Sequence, residues 1–216
     1  MAADSLTFSI ATFVAIIAIV NPLGATTFFV ALTKGYDPRL KRRVVDKAVL
    51  AATLTLALFA FVGNYIFAFF GTSIPAFRIA GGALLFSVAY SMLQGERPKS
   101  QLTLQDRTEA LEKEVVGVVP LGIPMLAGPG AITTVMVLMA DASAPFDLIK
   151  VLIIIASVLV TMGVTFGLLR NADRIFRRMG RMGVYAFTRI MGLVLAAIAV
   201  QFIILGVQGA IVLYFT

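Results

Sequence analysis

Six apolar runs separated by polar or charged punctuation organise the chain, at about 6–33, 44–70, 73–95, 116–140, 147–169 and 184–214. A helix needs about 20 residues to cross a hydrocarbon layer about 30 Å thick, so each run is long enough to cross once with some tilt. The second and third runs are separated only by Gly71, Thr72 and their neighbours, and Ser73 and Pro75 read as a helix N-terminus, which predicts a tight helical hairpin. The predicted fold is therefore all-α, a polytopic membrane protein of six transmembrane helices.

Two of the runs are interrupted. The first carries Asn21-Pro22-Leu23-Gly24, and the fourth carries PLGIPMLAGPGAITT at 120–134, with Gly128-Pro129-Gly130 at its centre. Proline lacks an amide hydrogen and clashes with the preceding turn, and glycine tolerates the backbone angles that end a helix. Each break frees polar main chain, which in hydrocarbon costs several kcal/mol unless a neighbouring helix, water or a solute satisfies it.

The two interrupted runs also resemble each other. NPLGATTFFVAL (21–32) aligns without gaps on GPGAITTVMVLM (128–139), pairing Pro22 with Pro129, Thr26 with Thr133 and Thr27 with Thr134. FRIAGGALLFSVAYSMLQG (77–95) aligns on TRIMGLVLAAIAVQFIILG (188–206), pairing Arg78 with Arg189 and Gly81 with Gly192. Two related halves of three spans each must point opposite ways, because three is odd. The expected plan is a 3+3 inverted-topology repeat with a discontinuous first helix in each half: residues 1–95, a connection 96–115, and residues 116–216.

Charge adds an orientation. The chain is 60% hydrophobic and 13% charged, with a formal net charge of +7, too apolar for a water-soluble domain. Lys34 to Lys47, Arg97 to Lys113 and Arg170 to Arg181 hold nearly all the basic residues, and the other connections offer Lys150 alone. The positive-inside rule then places these three connections on the cytoplasmic face and both termini outside, with no nucleic-acid partner needed to explain the charge. No basic segment precedes the first apolar run, so no cleaved signal peptide is expected. The 96–115 connection mixes both charge signs with Leu102, Leu104 and Leu111, and reads as a solvated linker or a short amphipathic helix.

Cysteine and histidine are absent, which removes disulfide, thiolate and imidazole chemistry. No Asp or Glu lies in the apolar cores of the six runs; Asp46, Asp147 and Asp173 sit at edges. An enzyme is not expected, since Ser or Thr nucleophiles would have no base, and no metal or cofactor is implied. The candidate solute site is Asn21, Pro22, Gly24, Thr26, Thr27, Gly128, Pro129, Gly130, Thr133 and Thr134. The amides of Leu23 to Thr26 and Gly130 to Thr133 open new half-helices and would suit a carboxylate, while carbonyls ending the preceding half-helices would suit an ammonium group or a cation. The bland alternative is that these residues only kink the spans and let helices pack closely. Arg78 and Arg189, a turn inside helix starts, are either interface anchors or gating residues. Na+ or H+ coupling is left open, as is homo-oligomerisation.

NPLG at 21–24, PLGIPMLAGPGAITT at 120–134, FRIAGG at 77–82 and RIMGLVLAAIAVQFIILG at 189–206 together resemble the MarC/SnatA family of bacterial and archaeal integral membrane proteins, over essentially the whole chain. The resemblance implies a six-span protein of the cytoplasmic membrane with both termini outside, in a wider grouping with LysE-type exporters. It also implies transport of small neutral amino acids, glycine and alanine among them. A broader solute or drug exporter and a non-transporting membrane scaffold are the alternatives to that function.

Overall fold

The computed structural model describes residues 2–94, 117–143 and 146–215; the 96–115 connection lies outside them. Among the described residues seven helices form: α1 (Ala2–Val20), α2 (Pro22–Leu32), α3 (Pro38–Phe70), α4 (Ile74–Gln94), α5 (Pro129–Ser143), α6 (Leu148–Arg170) and α7 (Ala172–Phe215). A wide-turned coil, Gly117–Leu126, precedes α5; in it the Val119–Pro120 and Ile123–Pro124 peptides are cis. Among the described residues there is no strand beyond one isolated bridge between Ser143 and Phe146.

Five segments are long and apolar enough to cross a membrane, Ser5–Leu32, Pro38–Gly63, Ile74–Gln94, Leu148–Arg170 and Met182–Leu213, and the pair 117–126 and α5, bent by 56°, is a candidate sixth. Contacts with α3 show which way that bent pair runs. A Cβ on Gly117 would lie 2.6 Å from the Val44 carbonyl oxygen, one on Gly122 2.9 Å from that of Ala48, and Gly63 faces Met136 Cγ at 2.9 Å in the same sense. The pair thus advances along α3 from residue 44 to 63, roughly 28 Å at 1.5 Å per residue. Along α3 it runs on rather than turning back.

α3 buries Val44, Ala48, Ala52, Leu56 and Ala60, the i, i+4 ridge that meets this pair, and exposes Leu50, Leu54, Leu58, Phe61, Tyr65 and Phe69 on its outer side. An apolar outer face this continuous suits lipid, where helix association rests on close packing of small residues rather than on expulsion of water. The same rule shapes the seam between α4 and α7. A Cβ on Gly82 would lie 2.8 Å from the Ala199 carbonyl oxygen, one on Gly192 2.9 Å from Met92 Cβ and one on Gly206 2.7 Å from Ile79 Cγ1. The two helices therefore run antiparallel in register along their whole shared length.

Two helix starts lie six or more residues earlier than the apolar pattern predicts. α3 begins at Pro38 instead of 44, because Asp37 Oδ1 accepts the amides of Arg39 at 2.8 Å and Leu40 at 2.9 Å, and the following Lys and Arg residues are good helix formers. α7 begins at Ala172 instead of 184, and left-handed Gly180 (φ 64°) divides it. The hairpin is as expected: Gly71 turns with φ 63° and Ser73 Oγ accepts the Ala76 amide at 3.3 Å.

The seam predicts a contrast. Gly82→Val should lower the unfolding midpoint in detergent by an amount equivalent to about 1–3 kcal/mol of overpacking. Gly163→Ala on α6, where a Cβ meets nothing within 4 Å, should leave it unchanged or raise it by up to about 1 kcal/mol.

A second expectation concerns acid. The Leu40 amide above all, with the Arg39 amide and the guanidinium groups of Arg39 and Arg43, holds the Asp37 carboxyl below its ordinary value of 3.8. A lowered folded-state value means that its stabilisation is full above 3.8 and is lost as pH falls through the lowered value. Asp37→Ala should remove this acid limb from a plot of unfolding midpoint against pH.

Candidate functional site

Asn21 sits between α1 and α2 in the left-handed region (φ 47°, ψ 62°), the only non-glycine residue with positive φ among those described. Its amide donates to the Ile17 carbonyl at 3.0 Å, and its own carbonyl accepts from Ala25 at 3.0 Å, so it ends one helix and caps the next. Its side-chain oxygen accepts the Gly24 amide at 3.2 Å. Pro22 has no amide hydrogen, and the Gly24 amide is thereby engaged. Consequently the carbonyls of Ala18, Ile19 and Val20 receive no main-chain donor across the break, although Ala18 and Val20 are buried.

The second break is wider. The Ala127 amide bonds to the Gly122 carbonyl at 2.9 Å, and the regular ladder of α5 begins with the Ile132 amide on the Gly128 carbonyl at 3.0 Å. The amides of Gly130 and Ala131 have no main-chain acceptor, and Pro129 at the first helical position is exposed. A helix N-terminus carries partial positive charge on such amides.

The two breaks meet. A Cβ on Gly130 would lie 2.8 Å from Ile19 Cδ1 and 3.2 Å from Leu85 Cδ2, so the start of α5 rests against the last turn of α1 and the middle of α4. One turn on, Thr133 packs its methyl group onto Gly81. Carbonyls without donors and amides without acceptors are thus brought to one level of the bundle, from opposite dipole ends.

The threonines divide. Thr26 Oγ1 donates to the Leu23 carbonyl at 2.6 Å and Thr134 Oγ1 to the Gly130 carbonyl at 2.8 Å, both within their own helices. Thr27 Oγ1 is buried with no partner, and Thr133 is 9% exposed. Successive helical residues project about 100° apart, so adjacent hydroxyls cannot share an environment. The expected run of free amides also shortens: Ala25 and Ile132 already bond to the cap residues, leaving Leu23 at the first break and Gly130 and Ala131 at the second.

The two arginines that the sequence alignment pairs differ in place. Arg78, 18% exposed, forms an ion pair with Asp141 at the end of α5, while Arg189 is exposed. Asp141, one residue past the predicted fourth span, is the partner that the sequence pattern misses, together with the walls supplied by Ile19, Gly81 and Leu85. Its signal was a lone acid at a span edge facing a lone arginine at another, 63 positions away.

Comparison with known proteins bears on the whole chain. The profile described as "MarC family integral membrane protein" matches residues 6–211. The chain belongs to the MarC family. A UPF0056 membrane protein of Methanocaldococcus jannaschii is 40% identical over 206 residues, covering 95% of this chain and 89% of that protein. UPF0056 membrane protein YvbG of Bacillus subtilis is 36% identical over 203 residues, covering 94% of this chain and 95% of the relative. YhcE of Escherichia coli, also named a UPF0056 membrane protein, is 34% identical over 197 residues, covering 91% and 90%. No solved structure matches the chain. This MarC-family protein is thus an integral membrane protein with relatives in both archaea and bacteria.

Asn21 carries the first break alone, which makes it the sharpest local test. Asn21→Ala loses the cap, about 1 kcal/mol, and adds about 1–2 kcal/mol for a left-handed Cβ. Asn21→Gly keeps the backbone angle and should be clearly milder by unfolding midpoint.

Proposed function

We propose that this MarC-family chain is a secondary transporter of small neutral amino acids, the glycine and alanine class, working by alternating access between two inverted three-span halves. The observation that carries the reading is the meeting of the two breaks at Gly130 and Ile19. A zwitterion needs positive dipole ends for its carboxylate and oxygen acceptors for its ammonium. The amides of Gly130 and Ala131 supply the first, and the carbonyls of Ala18 to Val20 the second. Ile19 and Leu85 crowd the glycine surface, which favours a substrate with a minimal side chain. None of these groups activates a nucleophile, so the reading is of carriage rather than catalysis.

The seam between α4 and α7 supports the inverted plan. α4 and α7, the third spans of the two proposed halves, run antiparallel from the Gly82–Ile203 contact to the Gly206–Ile79 contact, as an inverted plan requires of them. With the basic turns at 33–37 and 170–172 on one face, the positive-inside rule puts both termini outside the cytoplasmic membrane.

Reconstituted into liposomes, the protein should exchange glycine and alanine in counterflow. Gly130→Leu and Thr133→Val should each slow the exchange about tenfold or more, the equivalent of ~1.4 kcal/mol, while Gly163→Ala should match the wild type. Absence of exchange in the wild type, or wild-type exchange by both site variants, would overturn the reading.

A further inference from the structure

Three long-range ion pairs are described, and all three join the first three traverses to the last three. Lys41 on α3 pairs with Asp173 on α7 at 2.8 Å, Asp46 on α3 pairs with Arg170 on α6, and Arg78 on α4 pairs with Asp141 on α5. The first two lie at the basic end of the bundle and the third at the opposite end, where α4 begins and α5 finishes. The fourth described pair, Lys150 with Asp147, is local to one helix start.

Each end also carries a recess with members of these pairs in its wall. At the basic end a cleft is lined by Phe29, Lys41, Arg42, Leu169, Arg170 and Asp173, among others. At the opposite end an open groove is lined by Pro75, Arg78, Leu205, Gln208 and Gly209 with its neighbours. The helices that bear the pairs also bear the site: α5 runs from Gly130 through Thr133 to Asp141, and α2, with Phe29 in the basic cleft, starts at the Asn21 break.

We infer that these pairs are two gates, one at each end, and both sets of pairs are formed in this structure. Exposed ion pairs are weak, which suits contacts that must open and re-form. Arg78–Asp141, the more enclosed, costs more to break singly, because each partner would be left as a lone charge near hydrocarbon. Separation of the halves at one end must break that end's pairs and can leave the other end's intact, so each set biases the equilibrium toward the state closed on its own side.

The chain has no cysteine, so Thr133→Cys supplies a single thiol between α5 and Gly81 of α4. In sealed vesicles of both orientations, a membrane-impermeant maleimide should label it slowly from either face. Adding Arg78→Gln with Asp141→Asn should raise the rate about fivefold or more from the face carrying the Gly71 turn only. Adding Asp46→Asn with Asp173→Asn should do so from the basic face only. The exchanged pair Arg78→Asp with Asp141→Arg should restore slow labelling, which a merely loosened fold would not. Background rates after neutralisation, or equal increases from both faces, overturn the inference. It rests on the alternating-access reading, but labelling needs no solute. Pair-dependent labelling without glycine exchange would remove the cargo and keep the gates, and the reverse would remove the gates alone.

Discussion

Inside a bilayer the main chain has no water to turn to, and the structure follows from that constraint. Helical traverses satisfy nearly every amide and carbonyl internally. Where proline and a left-handed residue stop the ladder, the unmet groups must be shielded by protein or offered to something that binds. This chain concentrates them: both interruptions fall at one level and touch, so that α1's final carbonyls and α5's first amides share a neighbourhood walled by α4. Packing, orientation and the ion pairs at the ends can all be read as what surrounds and encloses that level.

Close approach makes the arrangement feasible. Lipid tails are as apolar as leucine, so the helices gain little from hiding leucines from one another. They gain from surface contact, and glycine permits it at Gly82, Gly192 and Gly206 along the α4–α7 seam and at Gly117 and Gly122 against α3. The bulky apolar residues are left for the outside, as the exposed leucines at 50, 54 and 58 show.

Much of this was legible in the sequence, for physical reasons. Spans show because apolar runs of the right length have few other uses, and breaks show because Asn21-Pro22 and Gly128-Pro129-Gly130 cannot continue a helix. The start of α3 was misplaced because Arg39 to Lys47 are polar yet helix-forming, and hydropathy sees only the first property. Which threonine of each pair turns back to its own helix depends on helix rotation, which neighbours set and spacing does not. The Arg78–Asp141 pair joins positions that only the fold brings together, and the angle at the second break is written in no local motif. Pro120 and Pro124 mark where regularity fails, not by how much.

The two interruptions differ in mechanical character. At Asn21 one residue serves both helices, and Ser5–Leu32 still reads as a single candidate traverse. At residues 126–129 the axis turns by 56°. The first interruption therefore preserves one axis, and the second divides its pair into two arms set at an angle.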